Sequence, residues 1–338
     1  MNIVSPMPTG NGAYIVHKLL ERDIDGYQVC KFSPRWTLIP PFLYGLCRGS
    51  LGRSDLIHIA PDHAPFFRHN EKPQVITFHN LVLDDYMQQY SSALQRIHYR
   101  TDLRWCIKAA LKRASRVTSV SRFTANLVRS ELDYEGKIHV ITNGVDTRLF
   151  TPARGKAPSA SEVRVLFAGN LTRRKGADLL PGIARHLNRN IKILYTSGLR
   201  SKTKLPESSV LQQLGPVLHK DMPDLYRSVD LLLMPTVREG FPLVVTEAMA
   251  SGLPVIATNC SSLPELVDEG KGGFLCSQGD TRAFAEKINL LADAAQMRRE
   301  MNEYNRDKVE RLFRLETMMQ AYRDTFSEVM DTQQPFPR

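Results

Sequence analysis

Two successive doubly wound α/β domains, each on a parallel sheet, are what the order of elements in this chain predicts. Short apolar runs suited to buried parallel strands alternate with helical stretches from the first residues onward. Between Thr151 and Glu162 a polar stretch without periodicity interrupts the alternation, and beyond it the pattern restarts. The length agrees, since 338 residues exceed one ordinary core.

Asn2-Ile3-Val4-Ser5 is read as the first strand, running into a proline- and glycine-punctuated loop, Pro6 to Gly12. A helix is expected over about 13–22, a strand over 27–31, and buried strands at Leu56-Ile57-His58-Ile59 and Val75-Ile76-Thr77-Phe78. One long helical region is expected over about 93–114, followed by strands over 117–120 and 138–141. These elements form a first domain, residues 1–150, with 151–162 as linker. The second domain, 163–314, restarts with a strand at 163–168, a helix near 177–187 and a strand at 191–195. Leu231-Leu232-Leu233-Met234-Pro235 and Val255-Ile256-Ala257-Thr258 are later strands, and charged helices fill about 280–330.

Composition narrows the class. Hydrophobic residues at 42% and charged residues at 24% are those of a soluble globular protein. No apolar run approaches the roughly 20 residues that span a bilayer. Met1-Asn2-Ile3-Val4-Ser5-Pro6 lacks the basic and apolar regions of a secretory signal, so none is expected. The cysteines (Cys30, Cys47, Cys106, Cys260, Cys276) are odd in number, scattered and free of a Cys-x-x-Cys pair. That argues against zinc or a disulfide framework and for a reducing cytoplasm. A net charge of +10 asks for an anionic partner: nucleic acid, membrane or phosphorylated substrate.

The richest segment is Arg238-Glu239-Gly240-Phe241-Pro242-Leu243-Val244-Val245-Thr246-Glu247, directly after an apolar strand. Pro242 suits a first helical turn, and Gly252 with Pro254 stops the helix. A helix N-terminus offers unpaired N–H groups and partial positive charge, which together hold phosphate. Glu239 lies just before that terminus and Glu247 about a turn inside. The two carboxylates can accept from hydroxyls on either side of a diphosphate, which is the shape of a nucleotide sugar.

This segment resembles the E-x7-E region of the retaining GT-B glycosyltransferases of family 4 (glycosyl transferases group 1). The resemblance implies a GT-B fold of two Rossmann-like domains facing a cleft, with a final helix near 315–330 completing the first domain. It also implies a nucleotide-sugar donor as co-substrate, no cofactor and no metal. Gly240, Phe241, Pro242 and Leu243 would lie at the diphosphate, Glu247 at the ribose and Glu239 at the transferred sugar.

Gly169-Asn170-Leu171-Thr172-Arg173-Arg174-Lys175-Gly176, after the first strand of the second half, is similar to the family's glycine-arginine-lysine-glycine segment. Lys175 matches, and Asn170 departs from the arginine found in many members. Arg173 or Arg174 would then supply the second cation on the leaving diphosphate. Gly10-Asn11-Gly12 stands where the family has a Gly-Gly pair, so Gly12 would approach the donor phosphate. Ile15 occupies the third glycine position of a dinucleotide fingerprint, which excludes that reading. His79, at the end of a buried strand, matches the family histidine near the transferred sugar, while Asn80 departs from the usual aspartate. Alone it would read as a structural histidine. Gly215-Pro216-Val217 resembles the segment whose backbone reads the nucleobase.

A second pattern stands outside the family motifs. Arg96, Arg100, Arg104, Lys108, Lys112 and Arg116 recur every fourth residue, among Tyr99, Leu103, Trp105 and Ile107. Like charges so spaced repel by roughly 0.2–0.5 kcal/mol per pair on a helix, which is odd for a face that meets only water. Arg96, Arg100, Arg104, Trp105, Lys108 and Lys112 are read as a membrane or acceptor surface at anionic headgroups. No stacking or groove-reading module accompanies them, so nucleic acid is not expected.

The expected protein is a cytoplasmic hexosyltransferase, peripheral on the inner face of the membrane. It would move a hexose from a nucleotide diphosphate sugar, UDP favoured, to a saccharide or lipid-linked acceptor. His79, Glu239, Arg174 and Lys175 would act at the reacting centre. A nucleotide-sugar epimerase of the same fold and a non-catalytic protein binding anionic membrane or nucleic acid are the competing readings.

Overall fold

The computed structural model describes residues 1–38, 42–67, 72–153, 155, 162–197 and 205–332, the side chains of Asp85 and Gln88 excepted. Most of the linker expected at 151–162 lies outside them. The chain forms two compact units, residues 1–143 with 316–338, and residues 144–315.

The first unit holds six parallel strands: β1 (Ile3–Pro8), β2 (Tyr27–Phe32), β3 (Leu56–Ile59), β4 (Gln74–Phe78), β5 (Arg116–Ser119) and β6 (Ile138–Val140), in the order β2-β1-β3-β4-β5-β6. β3 and β4 are buried along their whole length, the consequence of helices covering both faces of a parallel sheet. The second unit repeats the plan with β7 (Val163–Phe167), β8 (Ile191–Thr196), β9 (Leu211–Gly215), β10 (Leu231–Met234), β11 (Val255–Thr258) and β12 (Gly273–Cys276), ordered β12-β11-β10-β7-β8-β9. Strand order reverses at β7, so the loops leaving β7 and β10 flank the crevice where open α/β sheets bind ligands. Both are Rossmann-like sheets in the GT-B architecture.

Four features depart from the sequence reading. The edge strands β9 and β12 were not expected: β9 is Leu-Gln-Gln-Leu-Gly and half-exposed, while β12 opens on glycine. The long first-unit helix is interrupted. Helix Ala93–His98 passes through a π-helical turn, Tyr99–Leu103, into helix Arg104–Leu111. The extra residue of such a turn resets the phase of everything after it. Helix 177–187 is instead a 3₁₀ turn, Ala177–Leu179, and a short helix, Leu180–Ala184. Finally, Cys30 and Cys47 are joined by a disulfide between β2 and helix Leu43–Arg53, Cα atoms 6.0 Å apart. The expectation of unpaired cysteines fails at this pair, and with it the cysteine argument for a reducing compartment. Spacing alone did not show it because strand and helix meet only in the fold.

The division between the units comes ahead of the expected linker. Val145 N donates to Phe313 O at 2.9 Å and Leu315 N to Val145 O at 3.0 Å. Arg306 reaches the carbonyls of Thr147, Phe150 and Ala250 at 2.7–2.8 Å. Residues 144–150 are therefore bound into the second unit. Among the described residues no helix is long and apolar enough to cross a membrane.

Gly144 threads tightly here, since a Cβ would stand 2.6 Å from Leu315 Cα and 2.8 Å from Arg314 O. Both are backbone atoms and cannot swing away. Gly144→Ala is expected to destabilise the second unit by about 1–3 kcal/mol, read as a lower urea midpoint with an unchanged m-value.

Candidate functional site

In the second unit two loops meet at the β7–β10 crevice. The turn after β7 carries Arg173, Arg174 and Lys175, capped by Thr172, whose hydroxyl accepts from Lys175 N at 3.3 Å. Gly176 follows with φ +77°, and a Cβ there would stand 2.0 Å from Pro235 O. Only glycine lets this turn lie against the loop leaving β10. The loops are then stitched together. Val237 N donates to Arg174 O at 3.0 Å, the Thr236 hydroxyl donates to the same carbonyl at 2.9 Å, and Arg174 Nη1 donates to Arg238 O at 3.0 Å.

That stitching brings Lys175 Nζ to 2.6 Å from Glu239 Oε1, with side chains only 18% and 9% exposed. The Thr236 hydroxyl lies 3.0 Å from the same oxygen. Glu239 is fixed through its backbone too. Its N–H donates to Ser261 Oγ at 3.0 Å, and Ser262 Oγ donates to its carbonyl at 3.2 Å. Ser261 holds φ +50°, a left-handed conformation uncommon outside glycine. Among the described residues Glu239 Oε2 has no hydrogen-bond partner.

Phe241 is buried and packs edge-to-face on Phe313, ring centroids 5.5 Å apart. It anchors the loop. Pro242 is the N-cap rather than a first-turn residue, and helix Leu243–Ala250 begins with no side-chain cap. Its first-turn amides at Leu243 and Val244 precede any intrahelical acceptor, and both residues are half-buried. Gly240 lies buried between Glu239 and this terminus.

Glu247 points from the helix interior and is fully engaged. Tyr226 donates to Oε2 at 2.9 Å, and His219 Nε2 lies 3.0 Å from Oε1. The hydrogen bond to Glu247 raises the His219 pKa, and burial opposes it. Burial, then the Glu247 charge, pushes the Tyr226 phenol well above its usual range, so it remains a donor. Val217 precedes His219 by two residues, between β9 and the 3₁₀ turn His219–Asp221, and so lies in the segment that reaches Glu247.

Of the predicted donor-side residues, Arg174, Lys175, Glu239 and the 240–243 terminus are gathered in one place. Arg173 is not, being exposed with Nε 3.7 Å from Asp178 Oδ2. Sequence reasoning missed Thr236, Ser261, Ser262, His219 and Tyr226. Each acts through a contact of 3 to 28 positions that only the fold closes.

The first unit holds the other two predicted residues. Gly12 opens helix Gly12–Asp23, capped by Asn11, whose side chain accepts from Tyr14 N at 2.8 Å. Asn11 thus has a structural reason to separate the two glycines. A Cβ at Gly12 would meet nothing within 4 Å. His79 follows β4, half-buried, with Nε2 3.0 Å from His17 Nε2. Burial pushes its pKa down to about 4.

The basic row divides. Arg104 donates to Glu131 O at 2.7 Å, Lys108 lies 3.5 Å from Asp133 Oδ2, and Arg116 lies 3.1 Å from Glu328 Oε2. Arg104 and Lys108 are thus taken up by the end of helix Arg122–Leu132 and do not belong to a free cationic face. Arg96, Arg100 and Lys112 remain exposed. Beside them Leu94 is 80%, Ile97 61% and Trp105 64% exposed. Across the π-turn these apolar residues fall at helical spacing.

The chain is 30% identical over 203 residues to a D-inositol 3-phosphate glycosyltransferase of Streptomyces avermitilis, covering 52% of this chain and 44% of that protein. It spans about half the length of the relatives it matches. Among solved structures, a sucrose-phosphate synthase from Thermosynechococcus elongatus superposes with a TM-score of 0.84 at 18% identity, covering 98% of this chain and all of that one. The Anabaena protein HepE, solved with UDP-glucose, superposes at 0.77 with 21% identity, covering 97% of this chain and 100% of that one. Both share the GT-B fold. The model of Glycosyltransferase Family 4 matches residues 10–149 and that of Glycosyl transferases group 1 matches residues 162–294, so the chain belongs to the group 1 glycosyltransferases.

Proposed function

We propose that this chain transfers a hexose from a nucleotide diphosphate sugar to a saccharide or lipid-linked acceptor with retention of configuration. One observation carries the reading: Glu239 and Glu247 flank an uncapped helix N-terminus, with Lys175 held beside the first of them. The diphosphate would take the amides of Leu243 and Val244 together with Arg174 and Lys175. Glu239 Oε2 would accept from a hydroxyl of the sugar, and Glu247 from the ribose. Catalysis is then chiefly electrostatic stabilisation of the departing diphosphate. On the resemblance, side-chain cations and the helix terminus fill the place a metal would take. UDP is the favoured nucleotide, and the HepE complex with UDP-glucose supports that choice. An epimerase would turn over donor without acceptor, so product analysis with and without acceptor separates the two.

In the first unit, the space before Gly12 would admit a donor phosphate, and His79 would meet the transferred sugar. The acceptor side would lie at the membrane. Leu94, Ile97 and Trp105 would enter the headgroup layer while Arg96, Arg100 and Lys112 meet anionic lipid, which keeps the protein peripheral on the inner face.

Glu247→Ala is expected to weaken binding of a UDP-sugar about 10-fold or more by calorimetry, as loss of hydrogen bonds to a charged group does. Unchanged affinity would remove Glu247 from the donor site. Lys175→Met should lower kcat more than it raises the donor KM, because its charge matters most as the diphosphate departs.

His219 occupies the oxygen that ribose would need. Its pKa is raised in the free protein, so the protonated form holds Glu247 more tightly. Donor affinity should fall as pH drops through that raised value, and the dependence should flatten in His219→Asn. A pH-independent wild-type Kd would mean that His219 does not leave Glu247.

Arg96→Glu with Arg100→Glu should reduce co-sedimentation with vesicles containing phosphatidylglycerol, by about 1 kcal/mol or more per site. Vesicles of phosphatidylcholine alone should not respond. Equal binding of wild type and double variant to anionic vesicles would end the membrane assignment.

A further inference from the structure

A file of hydrogen-bonded side chains runs through the interior of the first unit and ends at His79. Thr118 Oγ1 donates to Ile76 O at 3.4 Å and lies 2.6 Å from Thr77 Oγ1. Thr77 Oγ1 is 2.6 Å from His58 Nε2, and His58 Nδ1 is 2.6 Å from the Tyr27 hydroxyl. That hydroxyl is 2.8 Å from His17 Nδ1, which also meets Ser5 Oγ at 2.6 Å. His17 Nε2 then faces His79 Nε2 at 3.0 Å. The His17 and His58 rings stack, centroids 4.4 Å apart, and both are wholly buried.

Either threonine hydroxyl could donate to the other; read from Ile76 O, which can only accept, the file runs one way. Thr118 spends its one proton on Ile76 O, so Thr77 must donate to Thr118. With the Thr77 proton spent, His58 must donate from Nε2. Burial lowers the pKa of His17 and His58, and that of His79 to about 4, so each ring carries one proton at neutral pH. Neutral His58 then has a bare Nδ1, which accepts from Tyr27. Tyr27 in turn can only accept from His17, whose proton therefore sits on Nδ1. Its bare Nε2 accepts from His79 Nε2–H.

We infer that His17 is a positioning residue that holds His79 in the Nε2–H tautomer and leaves Nδ1 as a bare acceptor for a hydroxyl of the bound sugar or its acceptor. The assignment deepens the proposed role of His79 and its use in transfer rests on that role. Held so, His79 accepts an O–H and does not act as an acid. Ser5, Tyr27 and His58 act only through His17.

The test is long-range 1H–15N correlation of the histidine rings in the full chain at pH 7, with His79 assigned by its loss in His79→Gln. The wild type should show the Nε2–H pattern at His79, and His17→Phe should shift it toward a mixture of tautomers. His17→Gln, whose amide oxygen can accept from Nε2–H, should restore the wild-type pattern. If His17→Phe does not fold, Tyr27→Phe with Ser5→Ala removes both oxygens that face His17 Nδ1 while keeping the rings, and should also loosen the tautomer. An Nδ1–H pattern in the wild type, or a His79 pattern indifferent to folded His17→Phe or to folded Tyr27→Phe with Ser5→Ala, overturns the inference. In activity, His17→Phe should lower kcat about 10-fold with donor KM unchanged, and His17→Gln should recover most of it. Full activity of His79→Ala would instead sink the catalytic reading of His79, which the ring spectra judge separately.

Discussion

The second unit is organised around the buried contact between Lys175 and Glu239. Each charge alone would be costly at its exposure, and removal of one would leave the other uncompensated. The pair therefore requires the turn after β7 and the loop after β10 to arrive together. Gly176 permits the approach, Thr236 bridges both loops, and Ser261 and Ser262 grip the backbone of Glu239. The adjacent parallel strands β7 and β10 supply the frame, because both loops leave neighbouring carboxyl ends where the strand order reverses. The helix N-terminus at Leu243 inherits its position from that frame.

The two carboxylates are prepared differently. Glu239 keeps one oxygen for Lys175 and Thr236, so a ligand can use the other without breaking the pair. Glu247 has both oxygens engaged, one by a buried phenol and one by a part-exposed imidazole. Tyr226 is wholly buried and cannot leave without unpacking. His219 can. A ligand at Glu247 must therefore exchange with His219, which would make the proposed ribose contact conditional on protonation and leave the proposed sugar contact at Glu239 independent of it.

Much of this was readable in the chain, for definite reasons. Strands buried on both faces show as apolar runs, so β3, β4, β10 and β11 stood out. Glu239, Lys175 and Gly176 stood out because they stand at the offsets of the family motifs they resemble. Edge strands β9 and β12 did not, since β9 is polar and half-exposed and β12 is a four-residue run that opens on glycine. The basic row misled because a helical period was carried through a π-turn, and because Glu131, Asp133 and Glu328, its partners, lie on other elements. Tyr226 and His219 had no local signature at all. Their meaning comes from a carboxylate 21 and 28 positions away.

The file behind His79 had a signature that went unused. Ile3-Val4-Ser5, Leu56-Ile57-His58-Ile59, Val75-Ile76-Thr77-Phe78 and Val117-Thr118-Ser119 each set polar groups into a buried strand. Register places Thr77 opposite Thr118, and Val4 opposite Ile57, so Ser5 and His58 follow as neighbours. A sheet buried on both faces offers no water to such groups, so they must satisfy one another or lower the stability of the fold. Tyr27 and His17 close the row from β2 and helix Gly12–Asp23, while Tyr322 and Phe326 of helix Leu315–Asp331 pack on His58. Aligned polar residues in four apolar strands cannot be explained by packing, because apolar residues would fill the same space at lower cost. On the direction inferred above, what they supply is an order of donors and acceptors with its outlet at the half-buried member of the row, His79.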